Sequence, residues 1–159
     1  MFLSLSLSSV PSSIQPQDAE WGRTTLFKAA GQGHAEVVKL LIADGNAAVD
    51  KAANEGGTPL MMAAYEKHTE VVKLLITDGK AVVDQAANDG ATPLYIAASK
   101  GNTEVVKLLV TEGADVNIAN QGWTPLKIAK NRAINDLIAG PPHSDAAKDR
   151  LAIVALLEQ

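Results

Sequence analysis

One segment occurs three times along this chain in nearly the same form. It reads TPLMMAAYEKHTEVVKLLI at Thr58–Ile76, TPLYIAASKGNTEVVKLLV at Thr92–Val110 and, less faithfully, TTLFKAAGQGHAEVVKLLI at Thr24–Ile42. A fourth opening, TPLKIAK, begins at Thr124, so the opening threonines are 34, 34 and 32 residues apart. A period near 33 residues predicts an array of stacked repeats, and such an array presents a surface rather than enclosing a reaction.

Each repeat has the pattern of two short helices joined by a tight turn. Thr92 is suited to accept hydrogen bonds from the free N–H groups of a helix start, and Pro93 fits the first helical position. Gly101 is placed to end this helix in the left-handed conformation, whereas Lys67 stands at the matching position of the preceding repeat. A second helix is predicted over Thr103–Thr111. Helices this short are marginal alone, so their stability must come from stacking.

The segments between the helix pairs are rich in Gly, Asn, Asp and Ala. They are Asp44–Gly57, Asp78–Ala91 and Glu112–Trp123. A glycine stands two residues before each later opening threonine, as a tight turn requires, at Gly56, Gly90 and Gly122. We therefore predict an all-α repeat solenoid of stacked helix-turn-helix units with projecting β-hairpin-like loops. The third loop is one residue shorter at its tip.

This arrangement resembles the ankyrin repeat, in which Thr-Pro-Leu opens the first helix and Val-Val-x-Leu-Leu lies in the second. The resemblance covers about residues 19–139, and we assign residues 19–159 to one repeat domain with repeats starting near 24, 58, 92 and 124. Thr25 replaces the opening proline in the first repeat, as is typical of a terminal capping repeat. The histidine that usually follows Thr-Pro-Leu is absent, and its positions hold Phe27, Met61, Tyr95 and Lys127.

The two ends of the chain depart from the repeat. Residues 1–18 are Ser/Leu-rich and are predicted to be a disordered leader, because no Lys or Arg precedes Arg23 to form a secretory signal. At the other end, one interpretation takes Ala133–Ile138 as a shortened second helix and Asp145–Leu157 as an added cap. In the other, IVALL at 153–157 corresponds to VVKLL at 105–109, and the fourth repeat is interrupted around 131–146.

Composition argues against several classes of function. The net charge of −4 and the scattered Lys and Arg do not favour nucleic-acid or anionic-membrane binding. No apolar run approaches the ~18–20 residues of a membrane helix. There is no cysteine, and His34 and His68, which begin second helices, lack metal-ligand spacing and are expected to cap or pack there. With no nucleophile motif either, we expect no enzyme activity, no metal and no cofactor.

The resemblance implies a binding surface, since ankyrin partners usually lie on the concave face formed by hairpin tips and first helices. A protein partner is the expectation, because aromatic side chains are common binding anchors. Trp21 and Trp123 are such anchors unless they pack on neighbouring hairpins. The candidate residues carried over to this face are Glu20, Trp21, Arg23, Asn54, Glu55, Tyr65, Glu66, Asn88, Asp89, Ser99, Lys100, Gln121, Trp123 and Arg132.

Two other interpretations share the same fold. The chain is expected to be a monomer, but Leu151, Ala152 and Ala155 make the outer face of the last helix less polar than a cap should be. Self-association through residues 145–159, as an array fragment or homo-oligomer, is therefore kept as an alternative. A secreted effector with the same binding mode is another. The expected localisation is cytoplasmic. A nuclear localisation is left open, and secretion is not expected.

Overall fold

The computed structural model describes residues 23–45, 47–139 and 145–158. These residues form eight α-helices and no β-strand, so the predicted all-α repeat solenoid is confirmed. The predicted leader and the Gly140-Pro141-Pro142 segment with His143 lie outside the described residues. The helices are α1 (Thr25–Gly31), α2 (Ala35–Ala43), α3 (Pro59–Tyr65), α4 (Thr69–Thr77), α5 (Pro93–Lys100), α6 (Thr103–Thr111), α7 (Pro125–Ala139) and α8 (Asp145–Leu157).

The helices form two layers. The first helices of the repeats, α1, α3, α5 and α7, contact one another in order along the chain, and so do the second helices α2, α4 and α6 and the final helix described, α8. Leucines at matching repeat positions fill the space between the layers and are fully buried, as Leu60 and Leu94 are from the first helices and Leu75 and Leu109 from the second. One continuous core therefore runs through repeats that could not bury their apolar faces alone.

The opening threonines are helix caps, as predicted. The Oγ1 atoms of Thr58 and Thr92 each accept a hydrogen bond of 3.2 Å from the N–H three residues on. Both threonines are almost completely buried, and prolines follow them at the first helical position. The sequence signal therefore has a direct physical cause, because a cap that satisfies a free N–H stabilises a helix end by about 1 kcal/mol.

The turn between paired helices needs a left-handed residue. Gly33 and Gly101 take φ angles of 73° and 75°, which confirms the helix-ending role predicted for Gly101. Lys67 occupies the matching position with a φ of 66°. Lysine carries a Cβ that makes this conformation unfavourable, so the second repeat holds local strain that its neighbours avoid.

Adjacent repeats are joined by side chains at the start of the second helices. His68 donates from Nε2 to the Gly31 carbonyl at 3.1 Å, and Asn102 at the equivalent position donates from Nδ2 to the Ala64 carbonyl at 2.5 Å. Neither His34 nor His68 caps its own helix, so the capping role that the sequence offered for them is wrong. His68 instead binds the end of the preceding first helix.

The loops end in tight turns of two sizes. The N–H of Ala53 bonds the carbonyl of Gly57, and the same bond joins Ala87 to Ala91, which leaves three residues at each tip. In the third loop Asn120 and Trp123 exchange both backbone hydrogen bonds across two residues, and they form a β-bridge. The prediction of a shorter third tip is confirmed.

The C-terminal region differs from the other repeats in the length of its first helix. Ala133–Ile138, taken by one interpretation as a separate second helix, continues α7 without a break. Helix α8 contacts both α7 and α6. A Cβ at Gly101 would meet the Arg150 side chain at 3.4 Å, as one at Gly33 would meet the His68 ring at 2.6 Å. Arg150 of α8 thus lies beside Gly101 as His68 lies beside Gly33.

Candidate functional site

A groove of about 740 Å³ runs between the loop tips and the first helices of the first three repeats. Its floor is apolar and comes from the first helices. Its wall comes from the turns of the first and second loops, which contribute Glu55, Asn88 and Asp89. The floor consists of Phe27, Met61, Met62, Tyr65, Tyr95 and Ile96.

The floor arises from the positions just after the opening motif. Phe27, Met61 and Tyr95 occupy the same repeat position, and Met62 and Ile96 occupy the next one. The first turn of each helix faces the loop tips, so a bulky apolar side chain there lies at the base of the groove. In the fourth repeat the first of these positions holds Lys127, whose Nζ donates to the Gly122 carbonyl at 3.4 Å. The apolar floor therefore stops after the third repeat.

The two cations that line the groove lie over aromatic rings. The Lys100 ammonium is 3.7 Å from the centre of the Tyr65 ring, and the Arg23 guanidinium is 5.8 Å from the centre of the Phe27 ring. Such cation–π contacts stabilise by about 0.5–1 kcal/mol at exposed sites. Tyr65 remains 44% exposed, so a large part of its surface is accessible from the groove.

The wall is held together by hydrogen bonds between neighbouring turns. The N–H of Asn88 donates to the Glu55 carbonyl at 3.2 Å, and the Asn88 side chain donates to the Asn54 carbonyl at 2.9 Å. Oδ1 of Asp89 accepts from the N–H of Ala91 at 2.9 Å, which fixes that carboxylate. These hydrogen bonds therefore restrict the backbone of the turns that carry Glu55 and Asp89.

The groove brings together half of the fourteen predicted site residues. These are Arg23, Glu55, Tyr65, Asn88, Asp89, Ser99 and Lys100. Five others are exposed but do not line the groove, namely Asn54, Glu66, Gln121, Trp123 and Arg132. Glu20 and Trp21 lie outside the described residues. The sequence analysis missed the apolar floor, although the replacement of the usual histidine by Phe27, Met61 and Tyr95 was a visible signal.

Two of the predicted residues beyond the groove have identifiable surroundings. Trp123 is 42% exposed and forms the bridge with Asn120 at the tip of the third loop. Arg132 lies one helical turn before Asp136, which forms an ion pair with Arg150 of α8. Burial lowers the pKa of Arg150 from its ordinary value, and the charge of Arg132 lowers it further. The charge of Arg132 on α7 therefore acts on Arg150 of α8.

The described residues contain neither a metal-binding cluster nor a membrane-spanning helix. Across 23–45, 47–139 and 145–158, no group of three or more His, Asp or Glu side chains is arranged to hold a metal ion. No helix in this part of the chain is long and apolar enough to span a membrane. What the groove does provide is exposed apolar and aromatic surface bordered by charges of both signs, which are features of sites that recognise other molecules.

Comparison with known proteins identifies the repeat. The sequence model of a family described as ankyrin repeats matches residues 4–87 and 79–139, in three copies. The two matches together span most of the chain and include all of the groove. No curated protein is similar enough to the chain to be matched.

Proposed function

The chain belongs to the ankyrin-repeat family, whose members generally serve as protein–protein interaction modules, and we propose that it is a non-enzymatic module that binds a partner protein in its groove. The groove lies between the loop tips and the first helices, the surface that is concave in the family. The partner would place several side chains on the apolar floor, while its surrounding surface would contact the turns.

One observation carries this proposal: the groove floor holds an accessible aromatic ring among adaptable apolar side chains. Tyr65 is 44% exposed, and Met62 and Ile96 lie beside it as partly buried neighbours. Aromatic residues, Met and Arg are enriched in protein interfaces, and methionine adapts its shape to the surface it meets. Truncation of an aromatic hot spot near the centre of an interface costs about 2 kcal/mol or more of binding free energy.

The test is a single substitution at the exposed ring. Full-length chain is used to capture binding proteins, and the affinity of each captured protein is then measured directly for the wild type and for Tyr65→Ala. We expect Tyr65→Ala to weaken binding by at least tenfold, because it removes the ring that a partner would cover. Tyr65→Phe, which keeps the ring, should retain most of the affinity.

Leu40 offers a matched control for this test. It is an apolar residue on α2 that is 70% exposed and lies outside the groove, so Leu40→Ala should leave affinity unchanged. Equal affinity of Tyr65→Ala and wild type, with the same circular dichroism spectrum and unfolding midpoint, would contradict groove binding.

A second candidate function is self-association at the C-terminal end. Ile134 and Ile138 lie one helical turn apart on α7 and are 55% and 79% exposed, and Leu151 on α8 is 49% exposed. Covering such side chains with a second copy would remove apolar surface from water. Light scattering on the full chain tests this directly. A monomer at about 100 µM would count against it, and a dimer that dissociates on Ile138→Lys would support it.

A further inference from the structure

We propose that the groove selects a partner segment that is both basic and apolar. Two Lys or Arg side chains, three residues apart in a segment of polyproline II conformation, would face Glu55 and Asp89, and an apolar side chain between them would contact the floor. This inference rests on the proposed binding function and narrows it to one class of protein segment.

The carboxylates of the groove are more available to a ligand than its cations. Its cations, Arg23 and Lys100, lie over the rings of Phe27 and Tyr65. Its carboxylates, Glu55 and Asp89, form no ion pair with any described residue. A ligand entering the groove therefore meets two carboxylates that are without an ion-pair partner among the described residues, which favours a ligand with positive charges.

The acidic positions lie in the two turns that border the apolar floor. Glu55 and Asp89 occupy the same repeat position in the turns of the first and second loops. The matching residue of the third loop, beyond the end of the floor, is the neutral Gln121. The two carboxylates and the apolar floor therefore border the same groove, so one ligand can contact both.

Repeat geometry sets the spacing of the partner's cations. The hydrogen bonds from Asn88 to the carbonyls of Asn54 and Glu55 tie the two turns together, so their carboxylates are held one repeat apart. Packed helices are about 8–10 Å apart. In the polyproline II conformation a chain rises about 3.1 Å per residue with three residues per turn, so residues i and i+3 point to the same side and are separated by about 9 Å. That match is the reason for three-residue spacing.

The experiment is a selection of random twelve-residue peptides displayed on phage against the full-length wild-type chain. Selected peptides are synthesised with a fluorescent label, and their affinities are measured by anisotropy for the wild type and for the Glu55→Gln/Asp89→Asn double variant. Asparagine at 89 keeps an oxygen that can accept from Ala91. The matched control is Glu36→Gln/Glu70→Gln, which removes the same charge from exposed sites on α2 and α4.

The expected result has two parts. The selected peptides should be enriched in two Lys or Arg residues three apart, with an apolar residue between them. The groove double variant should weaken their binding by roughly two- to thirtyfold at low salt, since each of two surface ion pairs stabilises by about 0.2–1 kcal/mol. The difference should shrink as NaCl is raised, because salt screens exposed charges. The control variant should bind like the wild type.

Two other results separate the failure of this inference from the failure of the proposed function. If the selected peptides are neutral or acidic and lose affinity with Tyr65→Ala but not with the groove double variant, the groove binds segments and the basic specificity is wrong. If no selected peptide loses affinity with either change, both the inference and the groove proposal are overturned.

Discussion

Replacing Lys67 with glycine should stabilise this protein, although it removes a side chain. Lys67 ends α3 with a φ of 66°, where the equivalent Gly33 and Gly101 have φ angles of 73° and 75°. The left-handed conformation costs a residue with a Cβ about 1–2 kcal/mol. Glycine pays roughly 0.5–1 kcal/mol in extra chain entropy on folding, so the net gain is about 0.5–1 kcal/mol. Because Lys67 is exposed, few contacts are lost.

Urea and thermal unfolding followed by circular dichroism measure this gain. In a chain of this size a change of 1 kcal/mol moves the midpoint by about 2–4 °C, so Lys67→Gly should raise it by roughly 1–4 °C. Lys73→Gly is the matched control, since Lys73 is an exposed lysine within α4. There the same change should cost about 1 kcal/mol. A fall in stability for Lys67→Gly would refute the argument that this turn is strained.

Two further predictions concern contacts between repeats and between the last two helices. Asn102→Ala should lower the free energy of unfolding in urea by about 1–3 kcal/mol, and His68→Ala should lower it by about 1 kcal/mol. The first cost is larger because Asn102 is only 3% exposed, whereas His68 is partly exposed. A larger cost for His68→Ala would contradict this account of the hydrogen bonds between repeats. Asp136→Asn should lower the free energy of unfolding by about 1–2 kcal/mol and speed hydrogen exchange in α8, because it leaves Arg150 beside Arg132 without its carboxylate partner. Unchanged exchange would show that the ion pair does not stabilise α8.

The parts of the fold that depend on local chemistry could be predicted from the sequence. The cap at Thr92, the proline after it and the left-handed Gly101 each follow from backbone geometry within a few residues. The period of the repeat then predicts stacking. The hydrogen bond from Asn102 to Ala64 joins residues 38 positions apart, and nothing in the local pattern indicates that the side chain reaches across repeats instead of capping its own helix.

The candidate site, too, could be predicted only in part. The resemblance to the ankyrin repeat implied that Glu55 and Asp89 lie at the loop tips, and both border the groove. The floor was missed, because whether Met62 or Ile96 faces the core or the groove depends on how neighbouring first helices stack. The unbroken α7 was also ambiguous, since the residues of Ala133–Ile138 suit either the end of a first helix or a short second one.

The most direct test of the central claim is to map a bound peptide on the protein by NMR. An isotope-labelled full-length chain is titrated with a peptide selected against it, and backbone amide shifts are followed residue by residue. Groove binding predicts that the largest changes occur at Met62, Tyr65, Ile96 and Ser99 and at the turn around Asp89. Changes concentrated on the outer helices α2, α4 and α6, or on α7 and α8, with the groove unaffected, would contradict it.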